Sequence, residues 1–151
     1  MQIRVHIPSQ TLDLLDANHG LVRRYPISTS QFGTGTEPGS YRTPTGRFKV
    51  ESKWGEGAAE GEIFVARVAT GQCGSPEDSK DHVQTRILWL EGLEADNANT
   101  HERYIYIHGT NAEHLLGTPA SHGCVRMGNA DVIDLFNRIE PGISVWIDNA
   151  E

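Results

Sequence analysis

Two histidines and a cysteine stand in one short region of an otherwise acidic chain: His108, His122 and Cys124. A free thiol ordinarily titrates near pH 8.5, so about 3% is thiolate at pH 7. A neighbouring imidazole raises that fraction or takes the proton as the sulfur attacks. The chemistry open to this set is acyl transfer, in which the sulfur adds to a carbonyl, expels a leaving group and later gives up the acyl group. Cys124 is the candidate nucleophile. His108 is the candidate base, because it comes from a different segment and can face the sulfur across a cleft. His122 is a second candidate, two positions before the cysteine. Between them Gly123 permits a tight turn whose backbone N–H groups would aim at one point, as a tetrahedral oxyanion requires. Ser121 stands where it would orient His122.

Other readings compete. A lone cysteine is usually a small buried hydrophobe and a lone histidine a satisfied core or surface group. His108, His114, His122 and Cys124 are the right types for zinc, but their spacing matches no structural zinc pattern and no second cysteine lies close. Cys73, in Gly71-Gln72-Cys73-Gly74-Ser75-Pro76, has no histidine near it in sequence and reads as incidental. An alkylating reagent at neutral pH is therefore expected to mark Cys124 before Cys73.

Strands must position these groups. Tyr104-Ile105-Tyr106-Ile107-His108 alternates, with Ile105 and Ile107 toward a core and Tyr104, Tyr106 and His108 on the opposite face. Residues 2–7, 11–16 and 21–27 read as a meander, with a turn at Ala17-Asn18-His19-Gly20. Further strands are expected at 48–51, 63–68 and 86–90. The glycines of 33–39 suggest a phosphate loop, but the lysine and Ser/Thr of that motif are missing and no helix follows, so a plain turn is expected. Long polar loops at 52–61, 70–82 and 94–102 are more than connectors and should shape a site. Two short helices are expected: one over 112–116 capped by Asn111, and one after Asn129 whose Val132, Leu135, Phe136 and Ile139 share a face before Pro141-Gly142. His114 should face solvent.

A length of 151 residues suits one domain, 1–151, large enough to bury a core. The net charge of -7 and pI near 5.4 argue against nucleic-acid or anionic-membrane partners. No apolar run approaches the length of a membrane span. The first residues, Met1-Gln2-Ile3-Arg4-Val5-His6-Ile7, alternate like a strand at once, without the pattern of a secretory signal, so a cytoplasmic location is expected.

The segments His108-Gly109-Thr110 and Ser121-His122-Gly123-Cys124-Val125-Arg126-Met127 resemble the signature of the L,D-transpeptidase (YkuD-type) catalytic domain. Thr43-Pro44-Thr45-Gly46-Arg47-Phe48 and the closing Gly142-Ile143-Ser144-Val145-Trp146-Ile147 extend the likeness over nearly the whole chain. Many members carry asparagine where this chain has Arg126, a variant also found among them. The resemblance implies a mainly β fold, a β-sandwich or distorted barrel with one or two short helices. It implies Cys124 as nucleophile and His108 as base, peptidoglycan stem peptides or muropeptides as substrate, and no cofactor. Gly109, Thr110 and Arg126 would then lie beside the substrate. Arg126 would grip a carboxylate or pair structurally under the turn, with Arg86 and Arg103 as weaker candidates. Two acyl acceptors are open. Water gives an L,D-carboxypeptidase that trims tetrapeptide fragments during wall recycling, the expected activity for a cytoplasmic chain. An amine gives cross-links or D-amino-acid exchange, and a binding module without turnover is a third reading.

Overall fold

The computed structural model describes residues 1–150. The first strands, β1 (Gln2–His6), β2 (Thr11–Leu15) and β3 (Leu21–Ser28), form the expected antiparallel meander. Their alternation buries Ile3, Val5, Leu12 and Leu14 completely. Then follow β4 (Gly46–Trp54), β5 (Glu62–Val65), β6 (Val68–Cys73), β7 (Val83–Gly92), β8 (Tyr106–Gly109), β9 (Val125–Met127), the helix α1 (Asn129–Arg138) and β10 (Ser144–Asp148). The strand order is β4-β10-β1-β2-β3-β9-β8-β7, and β7 pairs back with β4. That closes an eight-stranded barrel, the distorted-barrel alternative rather than the sandwich, and removes its free edges. The β5–β6 hairpin hangs on β7 outside the closed ring.

Two pairs are parallel, β1 with β10 and β8 with β9. A parallel pair needs a crossover instead of a tight turn. Between β8 and β9 the crossover is residues 110–124, and it delivers the Ser121-His122-Gly123-Cys124 turn to the start of β9. Ile105, Ile107, Val125 and Met127 face the barrel core, where they meet Leu88, Leu90 and α1 through Val132, Leu135, Phe136 and Ile139. Each fully buried aliphatic or aromatic side chain of this kind contributes about 1.5–3 kcal/mol. No helix of the described residues is long and apolar enough to cross a membrane.

Three elements differ from expectation. The single strand expected at 63–68 is two strands with a turn at Ala66-Arg67, both at positive φ. No glycine or asparagine marks that turn. The helix expected over 112–116 is one 3-10 turn, Glu113–Leu115. Asn111 does not cap it; its amide instead donates to the carbonyls of Ser75 and Lys80 and its oxygen accepts from the His82 N–H, fastening the loop before β7. Finally, Gly128 is the N-cap of α1 and Asn129 is its first residue.

The Asn129 side chain is used inward. Its Oδ1 accepts from Gln84 Nε2 at 3.0 Å and Thr85 Oγ1 at 2.6 Å, and its Nδ2 donates to the Thr110 carbonyl at 3.0 Å. This ties α1 and β7 to the segment that leaves β8. Asn129→Ala strips buried partners from these groups, at about 1–3 kcal/mol for each one left unsatisfied. The urea midpoint should drop with an unchanged slope; an unchanged midpoint would mean that water replaces the amide.

Candidate active site

Register places the functional side chains. Ile107 pairs with Val125 and His108 with Arg126. Residues paired across neighbouring strands share a face, so the core takes Ile107 and Val125 while His108 and Arg126 point to the other side. One step back, Cys124 lies beside Tyr106, whose backbone N–H donates to Cys124 Sγ at 3.4 Å. On the far side of β8, Ile87 pairs with His108 and Trp89 with Tyr106. Cys124 is half-buried against a small apolar cluster of Phe64, Ile87 and Tyr106 outside the barrel core.

His108 is 2% exposed. Its Nδ1 lies 2.5 Å from the Gly109 carbonyl oxygen, which only accepts, so Nδ1 carries the proton and Nε2 is left as the basic nitrogen. Burial pushes the imidazole below its ordinary 6.5, with Asp81 opposing that shift. Burial likewise pushes the Cys124 thiol up to about 11, against the stabilising Tyr106 N–H. At rest the thiol donates to the Tyr104 carbonyl at 3.4 Å rather than to an imidazole. The resting pair is therefore neutral thiol and neutral imidazole. An attack by this thiol with this imidazole as base would require proton transfer to accompany carbon–sulfur bond formation, after the sulfur turns away from Tyr104.

The turn before Cys124 is braced from within. Gly123 has φ +121°, a conformation that suits glycine. Ser121, 1% exposed, donates to the Cys124 carbonyl at 2.7 Å and accepts from the Gly123 N–H at 3.3 Å. It thus shapes the turn and does not orient His122, and in this state the Gly123 amide is engaged by that serine. His122 is exposed, between the rings of Phe32 at 5.9 Å and Tyr41 at 5.7 Å. It separates two cavities of about 330 and 240 Å³, the first reaching Arg126 and Asp81, the second reaching Arg103 and Tyr41.

Gly109 and Thr110, expected beside the substrate, lie behind the site. A Cβ at Gly109 would come within 2.6 Å of Asn129 Oδ1, and fully buried Thr110 accepts the Ala112 N–H. Arg126 is 3% exposed and donates to Asp81 Oδ2 at 2.8 Å, while its Nε has no partner within the protein. The pairing role is thus occupied, at the wall of the larger cavity. Arg86 is turned away, donating to the Ala58 and Thr85 carbonyls and lying over Phe136. His114 is exposed on the 3-10 turn. Among the described residues no three metal-ligating side chains converge.

Sequence reasoning missed the loop between β3 and β4. Thr43 Oγ1 donates to the Gly123 carbonyl at 3.0 Å and accepts from the Ser30 N–H at 3.0 Å, and Ser30 Oγ donates to the Tyr41 carbonyl. The residues flanking the 33–39 turn thus hold the Cys124 turn in place and supply Phe32 and Tyr41 to its rim. The only signal was Thr43 within the Thr-Pro-Thr-Gly segment.

Fold and site together describe a closed β-barrel with a cysteine and a histidine on one face of its central parallel pair. The chain belongs to the YkuD family of L,D-transpeptidase catalytic domains, which it matches over residues 1–147. It is 34% identical to YqjB of Bacillus subtilis over 105 residues, 70% of this chain and 51% of that protein. It is 28% identical to YkuD of the same organism over 146 residues, 97% of this chain and 65% of that protein. The chain therefore spans about half to two-thirds of these relatives' length. An L,D-transpeptidase from Mycobacterium smegmatis shares the fold at a TM-score of 0.63 and 16% identity, over 97% of this chain and 58% of that one. L,D-transpeptidase 3 of Mycobacterium tuberculosis, solved with a faropenem-derived adduct, shares it at a TM-score of 0.61 and 19% identity, over 97% and 59%.

The electrostatics reverse one expectation. With its thiol neutral and half-buried, Cys124 should be alkylated by iodoacetamide at pH 7 more slowly than exposed Cys73, and its rate should climb only toward pH 11. Peptide mass mapping of the labelled sites checks this, and early labelling of Cys124 would show a preformed thiolate. If His108 is the base, turnover needs it neutral. Its acid limb should therefore fall below pH 6.5 in the pH profile of kcat/KM, since the depressed group protonates only there.

Proposed function

We propose that this chain is a cysteine acyl-transfer enzyme acting on peptidoglycan stem peptides. The observation that carries the reading is the placement of Cys124 and His108 on one face of β8–β9, inside a family match that spans residues 1–147. Cys124 Sγ adds to the carbonyl of an L-configured residue as its proton passes to His108 Nε2. The tetrahedral intermediate collapses, the C–N bond to the terminal D-alanine breaks, and the departing amine takes that proton. A thioester on Cys124 remains. Water, deprotonated by His108, then adds to the thioester carbonyl, and the thiol is regenerated with the shortened peptide acid.

Water as acceptor makes the protein an L,D-carboxypeptidase of wall fragments, a role suited to a cytoplasmic setting. What supports it is charge: a chain at -7 is repelled by an anionic wall polymer, whereas a small fragment needs only a local basic pocket. An amine acceptor would give cross-linking or exchange from the same acyl-enzyme. A binding role without turnover leaves the Cys124–His108 placement without a use.

Incubated with a disaccharide tetrapeptide, the protein should release D-alanine and leave the tripeptide, read by mass. Cys124→Ala should fold and release none. His108→Ala should be slower by about 10²- to 10⁴-fold, the range for a positioned proton-transfer group. With a millimolar acceptor peptide present, tripeptide should still dominate. A mainly cross-linked product would assign the acyl group to an amine, and equal activity in Cys124→Ala would overturn the nucleophile.

A further inference from the structure

The β5–β6 hairpin brings an arginine to the site from outside the barrel. Val65 pairs with Val68, so Ala66 and Arg67 are the two central residues of the turn, at φ 48° and 66°. That shape normally takes Asn-Gly, because L-residues disfavour it. Contacts of the Arg67 side chain hold it. Its guanidinium carbon lies 4.2 Å from the Trp89 ring centroid, 5.7 Å from Tyr104 and 6.0 Å from Trp54. Its Nη1 donates to Tyr106 Oη at 3.0 Å. Trp89 is a firm platform, stacked on His101 at 3.7 Å with its indole N–H on the His101 carbonyl at 3.1 Å.

Two features set this arginine apart from a mere fastener. Arg4, Arg23, Arg24, Arg126 and Arg138 each pair with a carboxylate, whereas Arg67, like Arg42, Arg47, Arg86 and Arg103, has none within ion-pair distance among the described residues. The rest of its fork makes no hydrogen bond within the protein and is not sealed from solvent. One edge is pinned on Tyr106 and the other is open, as bidentate capture of a carboxylate requires. Tyr106 also measures the distance to the chemistry. Its backbone N–H touches Cys124 Sγ and its hydroxyl touches Arg67. A single residue, Tyr106, thus touches both the sulfur and the guanidinium.

We propose that Arg67 is a specificity-determining residue that binds the free C-terminal carboxylate of the acyl donor, on the leaving-group side. This rests on the acyl-transfer reading above. In such a donor the terminal carboxylate lies one residue beyond the carbonyl attacked, about 3.3–3.6 Å of extended chain. Tyr106 covers the same short reach, with the sulfur at its backbone N–H and the fork at its hydroxyl. Recognition of a chain end restricts the enzyme to removing a terminal residue, and a cation held on aromatic faces supplies it without lowering the overall negative charge much.

The test compares two donors, a tetrapeptide ending in the free acid and the same peptide ending in an amide, with release of the terminal residue followed by mass. Wild-type protein should prefer the acid. Arg67→Ala should lower kcat/KM for the acid by about 10- to 100-fold, the scale of a charge-assisted pair, and leave the amide within about twofold. Arg67→Lys should recover part of the preference. Thermal melting and the alkylation rate of Cys124 establish that fold and site access are kept. Equal losses on both donors would make Arg67 a hairpin latch and overturn the proposal, as would no loss on either. Wild-type turnover of both donors alike would sink the Arg67 inference alone. No turnover of either by the wild type would sink the acyl-transfer reading first.

Discussion

The pairing of Ile107 with Val125 is the constraint on which the site depends. Both are fully buried, and they lock the register of β8 against β9 through the barrel core. Because side chains alternate, the same register sends His108, Cys124 and Arg126 to the opposite face together. A slip of one residue in either strand would carry its reactive group into the apolar core and an isoleucine or valine into the cleft. Core packing, not local attraction between thiol and imidazole, is what places the two on one face.

Burial has a consequence for reactivity. The sulfur packs against the apolar cluster of Phe64, Ile87 and Tyr106, and burial shifts both groups toward their neutral forms, raising the thiol and lowering the imidazole. For the acyl-transfer reading this means that the proton moves from thiol to imidazole only as a carbonyl is attacked. Charge is instead held nearby in the Arg126–Asp81 pair at the cavity wall.

The turn that carries Cys124 is held by segments distant in sequence. Thr43 grips the Gly123 carbonyl from the loop after β3, and Asp81 meets Arg126 from the loop before β7. Asn111 fastens that second loop through two carbonyls and an N–H. The crossover between two parallel strands is long enough to be mobile, and these contacts remove that freedom. The long connections between strands are thereby parts of the site.

Much of this was legible in the chain. Alternation at 104–108 marked which face of β8 turns to the barrel core, the opening residues declared a meander, and the Ser-His-Gly-Cys run with an upstream histidine pointed to one chemistry and one family. The features that escaped it share a physical reason: each depends on partners brought together only by closure of the barrel. Ala66 and Arg67 take a left-handed turn without glycine because aromatic rings from β4, β7 and the segment before β8 hold the arginine. Asn111 and Asn129, both suited to capping, bond to other segments instead, Asn111 to the loop before β7 and Asn129 to β7 and the Thr110 carbonyl. Thr110 and Ser121 instead spend their hydroxyls on backbone groups two or three residues away. Residue types and periodicity determined the candidate reactive groups and the strand faces. Tertiary structure decided which polar side chains serve the substrate side and which serve the backbone behind it, because hydrogen-bond demand in a closed barrel is met across segments that sequence spacing does not connect.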